Sequence, residues 1–310
     1  MVAIVVVNWN SGPFLERCLA SIREHAQDCE VVVIDNASED SSLTFLRPSP
    51  NLALLRNESN AGFAAACNRG WRTSRGDPVL FLNPDAECLP GAVQALTRRL
   101  EADHGIWAVG GHLLGPSGAP QVGFNVRAFP SIGAAAAELL LLDEIWQRNP
   151  WTRRYRMSDW NHESPRDVDQ PAAACLMVRR AVLESLGGFD EAFYPAWFED
   201  VDLCKRMRDA GGRIAYEPHA RFLHSGGASL GILKRESFLL YYHTNQIRYF
   251  HKHHGRKAAL RVRRFVIAGL RLRALAAWAV APRRSRTPAL PPLSYWRLAR
   301  HFAATRETGQ

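Results

Sequence analysis

The chain has 310 residues, 47% of them hydrophobic and 22% charged, which is enough for one large domain, or one domain and an appendage, around a sizeable core. Its formal charge of +9 is uneven: residues 251–310 carry 14 Lys and Arg against one acid, Glu307, whereas residues 1–250 carry 25 against 29. The six cysteines form no CxxC pair and no uncharged apolar run reaches 18 residues, which excludes a zinc or redox motif and a transmembrane helix.

The first hundred residues alternate strand and helix. Residues 3–7 are a β-branched run too short for a helix. MVAIVVVNWN lacks a basic n-region and reads as a buried first strand rather than a signal peptide. Gly12 and Pro13 open a helix with Phe14, Leu15, Cys18, Leu19 and Ile22 on one side. Residues 31–34 predict a second strand, and Ser38 is placed to cap a helix through Leu46. Residues 52–55 predict a third strand, 63–71 an Ala-rich helix, 79–82 a fourth strand and 90–100 a further helix. This βαβα series implies a parallel sheet with helices on both faces.

Polar residues collect where the predicted strands end: Asn8 and Asn10, then Asp35, then Asn83 and Asp85. Ligands of open parallel sheets bind at the carboxyl ends of the strands, so three such ends imply a ligand site. The first turn, residues 8–13, is neither G-x-G-x-x-G nor a P-loop, which argues against a dehydrogenase or an NTPase. Asn60, Ala61 and Gly62 form either a plain turn into a helix or a close backbone approach to a ligand. Asn83, Asp85 and Glu87 alternate after the fourth strand, a spacing that suits Mg2+ or Mn2+ held together with substrate phosphates, or a solvated turn.

Residues 106–109 read as a strand, 115–118 as a turn and 134–142 as an apolar helix. The long irregular remainder of 103–168 is either a lid or part of an acceptor pocket. A buried strand over 172–178 and a helix over 181–186 lead into GGFDEAFYPAWFEDVDLCKRMRDAGG at 187–212. There Glu199 and Asp200 stand at the mouth of a helix among Phe193, Tyr194, Trp197 and Phe198. Carboxylates so placed accept a proton, hold a metal, or merely cap the helix. Residues 213–216 and 221–224 read as strands, and His224 precedes a Gly/Ser loop as a further metal or phosphate contact.

From Arg256 the chain reads as an amphipathic helix. Arg256, Lys257, Arg261, Arg263, Arg264 and Arg271 fall within an arc of about 160°. Val262, Phe265, Val266 and Leu270 lie opposite, with Arg273 as the exception. Residues 274–281 are apolar around Trp278, and Arg283, Arg284 and Arg286 follow. This pattern fits an interfacial helix on an anionic membrane, or a helix packed on the domain with a solvated basic face; no reader module for nucleic acid is evident. The cysteines are expected as reduced, mostly buried thiols of a cytosolic protein.

These segments resemble a known family. VVVNWN at 5–10, DNAS at 35–38, NAGFAAACNRG at 60–70, FLNPDAE at 81–87, ACLMVRR at 174–180, the 187–212 stretch and HSGGAS at 224–229 follow the order of the inverting glycosyltransferases of family 2. Within that family the chain resembles bacterial rhamnosyltransferase-type members that build cell-surface polysaccharide. The resemblance implies a GT-A fold, α/β with a mostly parallel central sheet flanked by helices. It also implies a domain over 1–250, divided into a nucleotide-binding half (1–102) and an acceptor-binding, catalytic half (103–250), with a basic helical tail over 251–310. It implies that Asp35 contacts the base, that Asn8, Asn10 and Asn60–Gly62 line the nucleotide pocket, and that Asn83 and Asp85 occupy the metal motif, with Asn83 replacing its first acid. Asp200 becomes the general base, with Glu199 shaping the acceptor pocket or the base's pKa, and His224 approaches the metal or diphosphate. Ala173 stands where relatives often have Gly.

The implied partners are a nucleotide-diphospho-sugar, a divalent cation (Mg2+ or Mn2+), a lipid-linked or polysaccharide acceptor and an anionic membrane surface reached by the tail, at the cytoplasmic face of the cell membrane. Two other readings stay open: a nucleotidyltransferase on a similar fold, which lacks its expected Gly-rich basic loop after the first strand, and a non-catalytic sugar-nucleotide-binding scaffold.

Overall fold

The computed structural model describes residues 1–47, 49–226, 233–280 and 290–304. In chain order the elements are β1 (Ala3–Asn8), α1 (Phe14–His25), β2 (Glu30–Asp35), β3 (Leu52–Arg56), α2 (Phe63–Thr73), β4 (Val79–Leu82), β5 (Ala86–Cys88) and α3 (Ala92–Glu101). Then come β6 (Ile106–Leu114), β7 (Val126–Arg127), α4 (Ile132–Leu139), α5 (Leu142–Ile145), α6 (Pro150–Tyr155), β8 (Arg166–Asp167), β9 (Gln170–Pro171) and β10 (Cys175–Val178). The chain closes with α7 (Arg180–Leu186), α8 (Glu199–Asp209), β11 (Arg213–His224), α9 (Arg235–Val280) and α10 (Pro292–Ala304).

Chain contacts divide the protein into two compact units: residues 1–129 with 156–232, and residues 130–155 with 233–310. The division falls at 129/130, 155/156 and 232/233, not at 250. One reason is that α9 begins at Arg235, well before the basic stretch, and continues through a break at Gly255.

The first unit is built on one sheet in the order β3-β2-β1-β4-β10-β6-β11-β5, with β8 beside β11. β1 to β4 run parallel, β10 is inserted antiparallel between β4 and β6, and β11 returns parallel to β6. Successive residues of β1 serve opposite faces. Ile4 and Val6 join Leu15, Cys18 and Ile22 of α1 and Leu96 of α3. Val5 and Val7 join Cys67 and Trp71 of α2 and Leu203 and Met207 of α8. A strand covered on both faces has no polar side to show, which is why β1 reads as an unbroken apolar run. All six cysteines are buried and free.

The helix expected over 38–46 does not form; the segment is a series of turns. The Ser38 hydroxyl is taken by the Asn8 amide at 3.0 Å and the Asn10 backbone N–H at 2.9 Å, so it does not cap a helix. The two strands expected over 213–224 are one strand, β11, irregular between Tyr216 and Arg221.

In the second unit α9 packs on α4 and α10. The apolar arc expected to meet a membrane is corrected here: Val262, Val266 and Leu270 are buried. A face already covered by protein cannot also enter lipid. Arg256, Lys257, Arg261, Arg264 and Arg271 stay exposed, whereas Arg263 donates to the carbonyl of Phe302 at 2.6 Å. Residues 281 and 283–286 of the tail pattern, and 227–229 of the Gly/Ser loop, lie outside the described residues. Among the described residues no helix is long and apolar enough to cross a membrane.

One side chain ties α2 to the loop before α8. Buried Asn68 accepts from the Phe189 N–H (2.9 Å) and the Trp71 indole (3.1 Å), and donates to the Phe189 carbonyl and the Glu191 carboxylate (both 2.8 Å). Asn68→Ala leaves the Phe189 backbone groups without these partners. The expected cost is about 3 kcal/mol, read as a lower urea midpoint with an unchanged slope; a loss of only a few tenths would show that water replaces the amide.

Candidate active site

Each strand end expected to carry chemistry presents a distinct polar group. At the end of β1, Asn8 is fully buried, and its amide nitrogen shares its two hydrogens among the Asp35 carboxylate (2.9 Å), the Ser38 hydroxyl (3.0 Å) and the Ser42 hydroxyl (2.9 Å). Its carbonyl accepts from Ser11. Asn8 thereby holds Asp35 and the 38–42 turn in place at the end of β1. Asn10 does related work at the surface, its side-chain carbonyl accepting from the Glu39 and Asp40 N–H groups at 2.7 and 3.2 Å.

A second network follows β2. Asn36 donates to the Asn60 side-chain oxygen (2.8 Å) and accepts from the Asn57 side-chain amide (2.8 Å) and the Ala61 N–H (2.9 Å). Gly62 turns with φ +88, and a Cβ there would stand 2.9 Å from the Tyr194 ring and 3.0 Å from the Pro195 carbonyl oxygen. Phe63 N–H donates to that carbonyl at 2.7 Å. Of the two open readings of this turn, the glycine is thus required for contact with the 194–195 loop.

The third group lies where β4 passes into β5. β5 pairs with β11 so that Ala86 faces His224. This sets His224 Nε2 3.3 Å from Asp85 Oδ1, both residues buried. Gln121 fixes the imidazole. Its Nε2 donates to the His224 carbonyl (2.8 Å), so its Oε1 must face His224 Nδ1 (2.8 Å), which therefore carries the proton. Phe124 stacks on the ring at 5.2 Å. Nε2 is left buried without a hydrogen bond of good geometry. Cis ligands of a six-coordinate ion at about 2.1 Å stand about 3 Å apart, so this oxygen and nitrogen are spaced for one small hard cation. Two ligands are few, and among the described residues no group of three or more His, Cys, Asp or Glu is gathered. Such a cation would depend on substrate phosphate oxygens for the rest of its shell. Glu87, the other acid of this stretch, pairs instead with Arg17 at 3.2 Å.

The fourth group is the start of α8. Trp197 and Phe198 both have positive φ, 75 and 73, a conformation that costs bulky residues of order 1–3 kcal/mol each. This turn delivers two adjacent acids into different surroundings. Glu199 is buried, near Cys67 of α2, and one of its carboxyl oxygens has no hydrogen-bond partner. Burial, with repulsion from Asp200, pushes its pKa well above the ordinary Glu range. Asp200 is partly exposed and accepts from the Ala173 N–H (3.1 Å) and the Val201 N–H (2.8 Å). Its pKa is also raised by burial, but those two bonds and the nearby Arg127 oppose the rise. The neighbouring acids are structural. Asp190 caps the Ala192 N–H at 3.0 Å, and Asp202 is buried against Arg206 at 2.8 Å.

These groups are linked by the backbone. Asn83 N–H donates to the Ala174 carbonyl at 3.0 Å, and the adjacent Ala173 N–H donates to Asp200. The Asp85–His224 pair and Asp200 are therefore held at the two sides of one short crossing. Sequence reasoning missed Gln121, Asn36 and Arg127. Asn36 lies inside a recognised segment, but Gln121 and Arg127 belong to 115–168, which carries no motif to reveal them.

The arrangement can be set against known proteins. Residues 3–186 match the profile "Glycosyl transferase family 2". Over 241 residues, 74% of this chain and 77% of the other, the chain is 33% identical to the N-acetylglucosaminyl-diphospho-decaprenol L-rhamnosyltransferase of Mycobacterium tuberculosis (strain ATCC 25618 / H37Rv). It is 26% identical over 233 residues to a pre-mycofactocin glycosyltransferase of the same organism, covering 72% of this chain and 42% of that one. Among solved structures, mannosyltransferase PcManGT from Pyrobaculum calidifontis, in complex with GDP-Man and Mn2+, superposes with a TM-score of 0.55 at 17% identity, over 98% of this chain and 81% of its own. TarS of S. aureus, in complex with UDP-GlcNAc, does so with 0.55 at 15% identity, over 97% and 80%. The profile covers more than half of the chain and the fold agrees with it: this protein belongs to glycosyl transferase family 2 and has the GT-A fold.

Proposed function

We propose that the protein is an inverting glycosyltransferase that moves a sugar, L-rhamnose foremost, from a nucleotide-diphospho-sugar to a hydroxyl of a lipid-linked glycan in cell-surface polysaccharide synthesis. The observation that carries this reading is the linkage of Asp85 and His224 on one side to Asp200 on the other through residues 83 and 173–174. The 33% identical rhamnosyltransferase supports the choice of sugar and acceptor class. We assign the work to the inner face of the cell membrane, where such an acceptor lies, with the exposed arginines of α9 available to anionic headgroups.

In this reading Asp35 and the Asn60–Gly62 turn receive the nucleoside, held in position by Asn8, Asn10 and Asn36. Asn83, at the head of the same crossing, faces the diphosphate. Asp85 and His224 would hold a divalent cation, Mg2+ or Mn2+, whose charge would neutralise the leaving diphosphate. Gln121, by fixing the proton on His224 Nδ1, leaves Nε2 as the atom with a free lone pair. Asp200 accepts the proton of the acceptor hydroxyl as that oxygen attacks the anomeric carbon in line and inverts it. A carboxylate whose pKa is raised yet still anchored by two backbone N–H groups is a stronger base than an ordinary aspartate without losing its aim. Glu199 plays the opposite part, protonated and neutral beneath it.

Asp200→Asn is expected to lower kcat by about 10²–10⁴ while donor affinity, read by titration calorimetry, stays within about threefold. Near-normal turnover would remove Asp200 as the base. Nucleoside diphosphate release from a panel including dTDP-rhamnose, with Mg2+ or Mn2+ and an acceptor, tests the reaction. Release of pyrophosphate instead would identify a nucleotidyltransferase.

Glu199 gives a separate prediction. Its folded pKa lies above its unfolded one, so the folded state binds the extra proton. Its contribution to stability is complete below the unfolded value and is lost as pH rises toward the folded value. Glu199→Gln, neutral at every pH, is expected to lose less stability than the wild type as pH rises above the ordinary Glu range and to retain most of the turnover. Parallel pH–stability curves would show that Glu199 is charged in the folded protein.

A further inference from the structure

Most of the large apolar side chains that the described residues expose belong to the second unit, and they gather at one end of it. Arg273 of α9 marks that end. It donates to the Leu139 carbonyl at 2.7 Å and the Glu138 carbonyl at 3.1 Å, at the close of α4. Gly269, one turn earlier, lies so near that a Cβ there would come within 2.1 Å of the Leu139 carbonyl oxygen. Asp143 and Glu144 of α5 and Tyr295 of α10 are within electrostatic reach of the same guanidinium. α10 runs back along α9, since Arg263 of α9 meets Phe302 and Ala303 near the far end of α10. The start of α10, α5 and the last turns of α9 therefore converge.

At this convergence the surface is apolar. Ile145 is 84% exposed, Trp278 79% and Leu293 76%. Trp146, Trp151 and Leu275 are exposed with them, Trp146 and Trp151 stacked edge to face at 6.1 Å. Trp278 lies five residues beyond Arg273, about 7.5 Å further along the helix axis. Soluble proteins rarely leave such a cluster to water, and tryptophan favours the headgroup level of a bilayer. Arg148, Arg153, Arg154, Arg271 and Arg300 are exposed on or beside the same elements, while Arg297 pairs with Glu236 at 3.2 Å and Asp143 and Glu144 act electrostatically on Arg273. A second copy of the chain would press like charges together around the apolar centre. An anionic lipid surface would neutralise them.

We propose that this end of the second unit is a membrane-docking surface, with Ile145, Trp146, Trp151, Leu275, Trp278 and Leu293 entering the interface and the arginines meeting anionic headgroups. It is a different face from the buried arc of α9, and its occupant is the lipid surface whatever sugar or acceptor the enzyme uses.

The test uses full-length protein and vesicles of phosphatidylcholine with about one-third phosphatidylglycerol, without donor or acceptor. The wild type is expected to float with the vesicles, and brominated lipid to quench its tryptophan fluorescence. The triple variant Ile145→Ser, Trp146→Ser, Trp278→Ser should lose at least about tenfold in partitioning, with an unchanged melting temperature and unchanged transfer to a water-soluble acceptor. Because flotation needs no chemistry, its failure is separable from failure of the glycosyltransferase reading. A wild type that stays off the vesicles, a triple variant that floats equally well, or a wild-type dimer that the triple variant dissolves would each overturn the proposal.

Discussion

The carboxylate of Asp200 is bonded to the backbone of Ala173 at 3.1 Å, and much of the site depends on that contact. Ala173 and Ala174 lie just before β10, the strand that enters the sheet antiparallel beside β4. Ala174 in turn receives the N–H of Asn83, two residues before Asp85. A bond from a backbone N–H to a carboxylate is about twice as strong as one between neutral groups, and its donor cannot rotate away. The acid at the mouth of α8 is thereby registered to the sheet and, through it, to the Asp85–His224 pair. The order of strands gives the reason. Inserting β10 between β4 and β6 brings a second chain segment against the parallel strand ends, where a purely parallel sheet would offer only its own loops.

That placement was largely legible, because it follows from patterns that backbone geometry imposes. Apolar runs bounded by Asn, Asp and Gly marked β1 to β4, and polar strand ends marked the ligand side. What was not legible depends on partners chosen by tertiary structure. Ser38 is followed by a plausible helix, yet its hydroxyl is bonded to Asn8 and Asn10, so local propensity lost to a long-range contact. Asn8 is joined to the same turn: the partners of its side chain are Asp35, Ser38, Ser42 and Ser11, three of them about 30 positions away in sequence. Gln121 and Arg127 had no pattern to mark them, since the groups they influence at the site, His224 and Asp200, are far off in sequence.

The helix α9 shows a related limit. Periodicity identified which side of it is apolar, and that side is buried as the pattern requires. Periodicity says nothing about what covers it. Protein and lipid both satisfy an apolar stripe, and here α4 and α10 pack on the helix. The apolar residues left outside, Leu275 and Trp278 among them, show in the sequence only as part of an apolar stretch, and their grouping with α5 and the start of α10 appears only in the fold.

Glu199 and Asp200 differ by one position and one methylene, and the turn before them explains why they are not equivalent. Trp197 and Phe198 both adopt left-handed backbone, which rotates the first turn of α8 so that one carboxyl enters the protein and the next faces the crossing. Two ionised acids so close would repel, and the buried one has an oxygen with no hydrogen-bond partner to stabilise its charge. Both effects favour the protonated form of Glu199. The pKa of Asp200 is raised by burial and held back by backbone N–H groups and Arg127. Adjacent positions of a helix point about 100° apart, so the left-handed turn at Trp197 and Phe198, which fixes where α8 begins, also fixes which of the two acids turns inward.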